Sequence, residues 1–295
     1  LELLTEYEML LWIEKGLRGG FSGVLGRRYA KANNIYMDEY TPNHPSAYLL
    51  YLDANNLYGW AMKQKLPYGE FKWITEEQYH DYKKDEKFNK NHSFILKVDL
   101  EYTKECKDKT IRMPLAPEKK IPQLKDINKW QQDYTDNKQS RTKKLILDGY
   151  DKKEYVIHER LLQYYLKLGM KITKIHGIIS FREENWLEPY IDLNTEQRKK
   201  SKTDFEKNIW KLMNNSFYGK TMENIRKRVD VKFVSSEKQA VKLHTNSFYK
   251  GETIFIEDKL IAVQMEIKKV KFDKPIYTGM VILDLSKLLM YEAFY

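Results

Sequence analysis

The sequence predicts a mixed α+β fold in which helices and strands are interspersed. Residues 5–16 place apolar side chains at the spacing of an amphipathic helix, whereas residues 93–102 alternate as a strand does. The predicted helices and strands do not follow one another in a regular strand–helix–strand order. We therefore expect a mixed architecture that is not built from repeated βαβ units.

Composition indicates a folded protein with a polyanionic partner. The chain has 295 residues, of which 42% are hydrophobic, enough to bury a core. Lys and Arg number 52 against 42 Asp and Glu, so the formal net charge is +10. Together with 22 Tyr, 12 Phe and 6 Trp, this charge would suit base stacking and phosphate neutralisation. A basic solvated surface over an aromatic-rich core is the alternative.

Several classes of protein and site are excluded. The most apolar stretch, residues 280–290, is broken by Asp284 and Lys287, so we expect no membrane span. A single cysteine excludes a disulfide framework and a thiolate zinc site, and it favours an intracellular location. The six histidines are scattered, and no phosphate-cradling G-x-x-x-x-G-K-[ST] loop is present. Because the sequence begins at Leu1 without an initiator Met, we expect a fragment of a longer chain.

The first fifty residues lead from a helix to a strand. The helix predicted for residues 5–16 is followed by a glycine-rich loop, and residues 31–47 are polar and predict a connector. The apolar run Tyr48–Leu52 predicts a buried strand that delivers Asp53 at its end. The loop glycines are Gly19, Gly20, Gly23 and Gly26.

The rest of the chain alternates between polar segments and segments whose apolar spacing predicts a helix or a strand. Residues 118–153 are lysine-rich and predict an exposed insertion. A strand at 156–158, a helix at 159–168 closed by Gly169, and a strand at 171–181 are expected next. A long helix begins near Thr203. Short strands are predicted at residues 231–234, 253–256 and 260–263.

The first candidate site is the motif Asp53-Ala54-Asn55-Asn56-Leu57-Tyr58-Gly59. A carboxylate at the junction of a buried strand and a turn is well placed to hold a hard cation such as Mg²⁺. The alternative is an Asp- and Asn-rich turn in which Asp53 only caps a helix.

The second candidate site is one face of the long helix. Lys207, Lys211, Asn215 and Tyr218 fall within a sector of about 80° at 100° per residue. Two ammonium groups, an amide and a phenol suit a triphosphate with an aromatic ring beneath its base. A solvated lysine face is the alternative. The side expected to pack is apolar and consists of Phe205, Ile209, Leu212 and Met213.

At these two motifs the chain resembles the family B DNA polymerases, particularly the protein-primed branch. Asp53-x-x-Asn56-Leu57-Tyr58 is similar to the first palm motif, D-x-x-S-L-Y-P. Lys211-x-x-x-Asn215-Ser216-x-Tyr218-Gly219 is similar to the fingers motif, K-x-x-x-N-S-x-Y-G. Leu17-Arg18-Gly19-Gly20 resembles the Y-x-G-G element. Further stretches resemble polymerases of Polinton- or Maverick-type DNA transposons and related viruses, namely residues 51–62, 113–118, 186–192, 205–229 and 282–287.

This resemblance implies a partial right-hand polymerase with palm and fingers. The expected divisions are residues 1–47 as an entry segment, 48–117 as palm, 118–229 as insertion and fingers, and 230–295 as a return towards the palm. The implied activity is template-directed transfer of a nucleotide from dNTP to a DNA 3′ end. Primer–template DNA and a terminal priming protein are the implied partners, and a nuclear or viral replication site is the implied location.

The resemblance also implies roles for individual residues. Asp53 and the backbone carbonyl of Leu57 would hold Mg²⁺, two ions being needed in the complete enzyme. Tyr58 would be the steric gate against a ribose 2′-hydroxyl. The other implied dNTP contacts are Lys207, Lys211, Asn215, Tyr218 and Lys199. The implied DNA contacts are Arg18, Gly19, Gly20, Gly219 and Lys220.

The sequence departs from the family pattern at several positions. Asn56, Gly59 and Leu17 replace the usual Ser, Pro and Tyr of their motifs. The third palm motif, D-T-D, is absent after Lys220, and the family places it beyond the point where this chain ends. We therefore expect dNTP and DNA binding but no polymerisation by this chain alone. The alternative is an inactive transposon- or virus-derived remnant that only binds nucleic acid.

Overall fold

A computed structural model describes residues 1–23, 29–136, 138, 141–256 and 260–295. These residues form two compact units. The main unit contains residues 1–221 together with 275–295, and the small unit contains residues 222–274. The fold is mixed α and β, as the sequence predicts.

The main unit holds most of the helices and strands. Its helices are α1 (Tyr7–Gly16), α2 (Leu57–Lys63), α3 (Glu76–Lys84), α4 (Glu86–Asn91), α5 (Lys104–Thr110), α6 (Lys129–Tyr134), α7 (Glu159–Lys167), α8 (Glu188–Lys200), α9 (Asp204–Thr221) and α11 (Ile276–Phe294). Its strands are β1 (Leu66–Ile74), β2 (His92–Glu101), β3 (Glu118–Lys120), β4 (Lys144–Ile146), β5 (Lys152–His158) and β6 (Lys171–Glu184). A short 3₁₀ turn spans Leu124–Asp126.

A four-stranded antiparallel sheet forms the centre of the main unit. Its order is β1-β6-β2-β5, and the long strand β6 pairs with both β1 and β2. Alternate residues of β2 face the core, and Phe94, Leu96 and Val98 are completely buried there. Helix α7 packs against β2 and β5. The strand predicted at residues 93–102 is confirmed, but both of its faces are buried, since Ile95 on the opposite face is also completely buried.

Gly169 ends α7 as predicted. Its φ of 102° lies in the left-handed region, which side chains with a Cβ rarely adopt. The Gly169 amide donates to the Leu166 carbonyl at 3.0 Å, and the Met170 amide donates to the Tyr165 carbonyl at 3.1 Å. These two bonds satisfy carbonyls at the end of the helix, which is the Schellman arrangement.

The prediction of a buried strand at residues 48–52 is wrong. The segment has no regular secondary structure, and its five side chains are between 62% and 90% exposed. A strand needs a neighbouring strand to pair its backbone groups, and within the described residues none pairs with this run. Asp53, expected at the end of the strand, is therefore exposed.

The lysine-rich insertion is mostly exposed, in agreement with the sequence. Strands β3 and β4 pair near its two ends. Lys152, at the start of β5, is completely buried, and its ammonium lies 2.6 Å from Asp148 Oδ1 and 3.2 Å from Glu118 Oε2. This three-residue ionic contact fixes both ends of the insertion to the central sheet.

The small unit is a three-stranded antiparallel sheet with one helix. Its order is β7-β9-β8, made of β7 (Val229–Val234), β8 (Tyr249–Ile256) and β9 (Leu260–Glu266), with α10 (Glu237–His244) and a 3₁₀ turn at Ile225–Lys227. Its core contains Val234, Ala240, Val263 and Met265. The three short strands predicted in this region are confirmed.

No helix in the described ranges is long and apolar enough to cross a bilayer. The longest, α11, buries Asp284 and Lys287 within the main unit.

We expect different effects on stability from two Gly→Ala substitutions. Gly169→Ala should destabilise the main unit by about 1–2 kcal/mol, because a Cβ is unfavourable at its positive φ. Gly219→Ala, within α9 where an added Cβ meets no atom within 4 Å, should leave stability unchanged or raise it by up to about 1 kcal/mol. Urea unfolding of both variants tests this, and equal effects would contradict it.

Candidate nucleotide site

The first motif turns sharply at Asn56 and then enters α2. Asn56 has φ 55° and ψ 47°, a left-handed conformation that Asn adopts more readily than most residues. Its carbonyl accepts from the Trp60 amide at 2.9 Å. An added Cβ at Gly59 would lie 2.0 Å from the Asn56 side-chain nitrogen. The two departures from the family motif therefore fit each other, since Gly59 leaves room for the Asn56 amide.

The two sequence motifs meet at a pair of tyrosines. Tyr58 of α2 and Tyr218 of α9 stack with ring centroids 4.4 Å apart and an interplanar angle of 21°. Burial, followed by the neighbouring Tyr58, raises the pKa of Tyr218. Two motifs that lie far apart in the sequence are thus brought into one site.

Helix α8, which the sequence analysis did not predict, connects α2 and α9. The Lys63 ammonium lies 2.7 Å from Asp192 Oδ1 and 3.5 Å from Glu188 Oε1, and the hydrogen bond to Asp192 raises the pKa of Lys63. On the other side, the buried Asn194 amide donates to Asn214 Oδ1 at 2.7 Å. The polar side chains of α8 therefore hold the two motif helices together.

The prediction of which face of α9 packs is wrong. The apolar side chains expected to be buried are 37% to 75% exposed; they are Phe205, Ile209, Leu212 and Met213. Instead, Asn214 and Thr221 are buried, and Phe217 contacts the rings of Trp186 and Tyr190 at centroid distances of 6.1 and 5.9 Å. Helical periodicity identifies two faces, but the partners offered by α2 and α8 decide which one packs.

The predicted nucleotide ligands lie along and beside the packed face. Lys207 is partly buried, and its ammonium is 3.2 Å from Asp204 Oδ1. Lys211 and Asn215 are exposed on the turns of α9 that precede Tyr218. Lys199 is exposed in the last turn of α8. The structure therefore combines the tyrosine pair with exposed amine and amide groups on adjoining helix turns.

The described residues do not fit a two-ion metal site. Asp53 is exposed, and no group of three or more His, Cys, Asp or Glu side chains suited to a metal occurs in the described part of the chain. Leu57 is the first residue of α2, so its carbonyl is directed along the helix towards the amide four residues later. This placement does not favour Leu57 as a metal ligand.

Arg18 is buried rather than presented to solvent. It is only 6% exposed, its guanidinium lies 3.7 Å from the centre of the Tyr155 ring, and it donates to the carbonyls of Lys15 and Val156. The predicted direct contact between Arg18 and a template strand is therefore not supported by this placement. The adjacent loop is open, since an added Cβ at Gly19 or Gly20 would meet no atom within 4 Å.

A buried ion pair on α11 lies near the first motif, and the sequence analysis assigned it no role. Asp284 accepts from the His158 amide at 2.9 Å and from the Lys287 ammonium at 2.9 Å. Burial lowers the pKa of Lys287. Lys287 lines an apolar cavity of about 320 Å³ together with Leu57 and Tyr58. Only the apolar surroundings of Asp284 and Lys287 in the sequence indicated that these charges would be buried.

Comparison with known proteins gives a family match over most of the chain. A family model described as DNA polymerase type B, organellar and viral, matches residues 38–294. A comparison with curated proteins found no match.

Solved structures of phi29 DNA polymerase are similar to this chain. The orthorhombic crystal form has 14% identity and a TM-score of 0.49, and the match covers 98% of this chain and 41% of that one. The binary complex with primer–template DNA has 15% identity and a TM-score of 0.47, with coverages of 96% and 38%. The ternary complex with incoming nucleotides has 16% identity and a TM-score of 0.44, with coverages of 97% and 39%. The chain thus spans about two fifths of the length of these structures.

The tyrosine stack should contribute measurable coupling energy. A double-mutant cycle of Tyr58→Ala and Tyr218→Ala should give an interaction free energy of about 0.5–1.5 kcal/mol, the usual range for aromatic pairs. Urea unfolding of the four proteins in the cycle measures it. A control cycle that pairs Tyr58→Ala with Tyr36→Ala, whose ring is 83% exposed, should give no coupling. Equal coupling in the two cycles would contradict the stack.

Proposed function

The chain belongs to the organellar and viral type B DNA polymerases, and from that premise we propose that it supplies the incoming-nucleotide site of a DNA-directed DNA polymerase. The observation that carries this proposal is the stacking of Tyr58 on Tyr218, because it joins the two motifs that resemble the polymerase palm and fingers. Residues 48–117 are assigned to the palm, and residues 118–229, which include α8 and α9, to an insertion and the fingers.

Each residue of the site has a role set by its chemistry. Lys211, supported by Lys207 and Lys199, neutralises the triphosphate. Asn215 and Tyr218 line the pocket of the nascent base pair. Tyr58 occupies the space that a ribose 2′-hydroxyl would need. The stack with Tyr218 restricts the motion of the Tyr58 ring, as a steric gate requires.

Primer–template DNA is the proposed macromolecular substrate. Gly19, Gly20 and Gly219 leave open backbone that a DNA strand could approach closely, and Lys220 offers positive charge nearby in sequence. Arg18 has an indirect role, since its contacts with Tyr155 and Val156 hold the loop that contains the two glycines.

Polymerases of this family use divalent metal ions, and Asp53 is the proposed carboxylate ligand. The described residues do not form a complete metal site. The same proposal includes a protein-primed mechanism with a terminal priming protein. It also includes a transposon or viral origin and a nuclear or viral replication site. The two motifs support the protein-primed type, and the longer stretches that resemble transposon and viral polymerases support that origin.

The lysine of the fingers motif should strengthen nucleotide binding. We expect Lys211→Ala to weaken binding of dATP to the 295-residue chain by about tenfold, equivalent to roughly 1.4 kcal/mol for a lost contact with a charged group. Isothermal titration calorimetry provides the measurement. Lys238→Ala, an exposed lysine of α10, is the matched control and should change nothing. No dATP binding by the unmodified chain would favour the inactive remnant.

The 295-residue chain should not extend a primer in the presence of Mg²⁺. Two-ion catalysis needs more than one carboxylate, and Asp53 belongs to no metal-binding cluster in the described ranges. A primer-extension assay compares this chain with a version lengthened to include a D-T-D motif, for which synthesis is expected. Robust synthesis by the shorter chain would overturn this part of the proposal.

A further inference from the structure

A polar cavity of about 730 Å³ in the main unit is lined by residues of the central sheet and of helices α3, α4 and α7. Two buried carboxylates belong to its lining, Glu159 at the start of α7 and Glu183 near the end of β6, and they are only 6% and 3% exposed. Ionised side chains buried this deeply need partners, which a protein or a ligand can supply. The tyrosine pair of the nucleotide site lies elsewhere, on α2 and α9.

The two carboxylates differ in how completely they are paired. Glu159 Oε1 lies 2.7 Å from the Lys83 ammonium and accepts from the Tyr79 hydroxyl at 3.1 Å. Glu183 Oε1 accepts from the Arg160 guanidinium at 2.5 Å, whereas Glu183 Oε2 is buried and has no hydrogen-bond partner among the described residues. Burial raises the pKa of Glu183, although the Arg160 charge opposes this. The Glu183 carboxylate would therefore be stabilised by a further cationic donor.

Side-chain amides add further acceptors around the cavity. The amide nitrogens of Gln64, Asn89 and Asn185 donate to backbone carbonyls at 3.2, 2.9 and 2.7 Å. Their amide oxygens are then left as acceptors in the lining. An ammonium group has three donors and no acceptor, so it matches a carboxylate oxygen surrounded by amide oxygens.

Lys65 supplies a complementary positive charge. Its ammonium donates to the Lys90 carbonyl, which uses one of its three donors, and its charge lowers the pKa of Glu183, so it lies near that carboxylate. The lining carries three lysine or arginine side chains, Lys65, Lys83 and Arg160, against two carboxylates. A polyamine or a nucleoside triphosphate would leave several charges unmatched in such a cavity, whereas a zwitterion would match both signs.

We propose that this cavity binds a small polar α-amino acid, with the ligand ammonium on Glu183 Oε2 and the ligand carboxylate on Lys65. Both contacts are charge-assisted hydrogen bonds, which are stronger than bonds between neutral groups. The site is separate from the one at Tyr58 and Tyr218, and its binding does not depend on the function proposed there.

Calorimetry with matched ligands tests the two charged contacts. L-glutamine, whose side-chain amide can also donate to the amide oxygens of the lining, should bind the 295-residue chain with a Kd of about 1 mM or tighter. N-acetyl-L-glutamine lacks the ammonium group and L-glutaminamide lacks the carboxylate, so each should bind at least about tenfold more weakly. Absence of binding by L-glutamine at about 10 mM, or equal binding by either analogue, would overturn the proposal.

Two variants assign the binding to this cavity. Glu183→Gln keeps the size of the side chain and removes its charge, and Lys65→Met keeps an unbranched apolar stem at a position that is not fully buried. Each should weaken L-glutamine binding by about tenfold, as expected for loss of one contact with a charged group. Glu184→Gln, at the adjacent exposed residue on the other face of β6, is the matched control and should change nothing. Unchanged affinity in either variant, or an equal loss in the control, would contradict the assignment.

Discussion

The arrangement of the candidate site depends on one aromatic contact. Tyr58 stacks on Tyr218 and so fixes α2, which follows the Asp53 motif, against α9, which contains the lysine and asparagine motif. Helices α8 and α11 each contact both α2 and α9, and the stacked rings add a direct contact between the two motif helices.

Polar contacts of α8 also hold the two motif helices in place. Lys63 binds Asp192 on one side of α8, and Asn194 binds Asn214 on the other. Buried polar groups favour one geometry because each must meet a specific partner, whereas apolar side chains can pack in several ways. The buried contacts of Lys152 and of Asp284 act similarly where the insertion and α11 meet the central sheet.

Local patterns in the sequence predicted those parts of the fold that local physics determines. The strand at β2 and the helix end at Gly169 are encoded by a few neighbouring residues, and both predictions are confirmed. The run at 48–52 has the composition of a strand, but a strand also requires a partner, which its own residues do not specify. The exposed apolar side of α9 has the same cause, since Phe205 and Leu212 carry no information about what lies opposite. In the candidate site, the motif residues could be named from the sequence, whereas the contacts of α8 and the burial of Arg18 depend on distant segments.

Oxidative tyrosine cross-linking tests the central contact most directly. Light-driven oxidation couples tyrosine rings that lie against each other, and mass spectrometry of the digested protein identifies the joined peptides. The stacked geometry predicts a dityrosine that links the peptide containing Tyr58 to the peptide containing Tyr218. Coupling of Tyr58 and Tyr218 only to other tyrosines, while this link fails to form, would contradict the account.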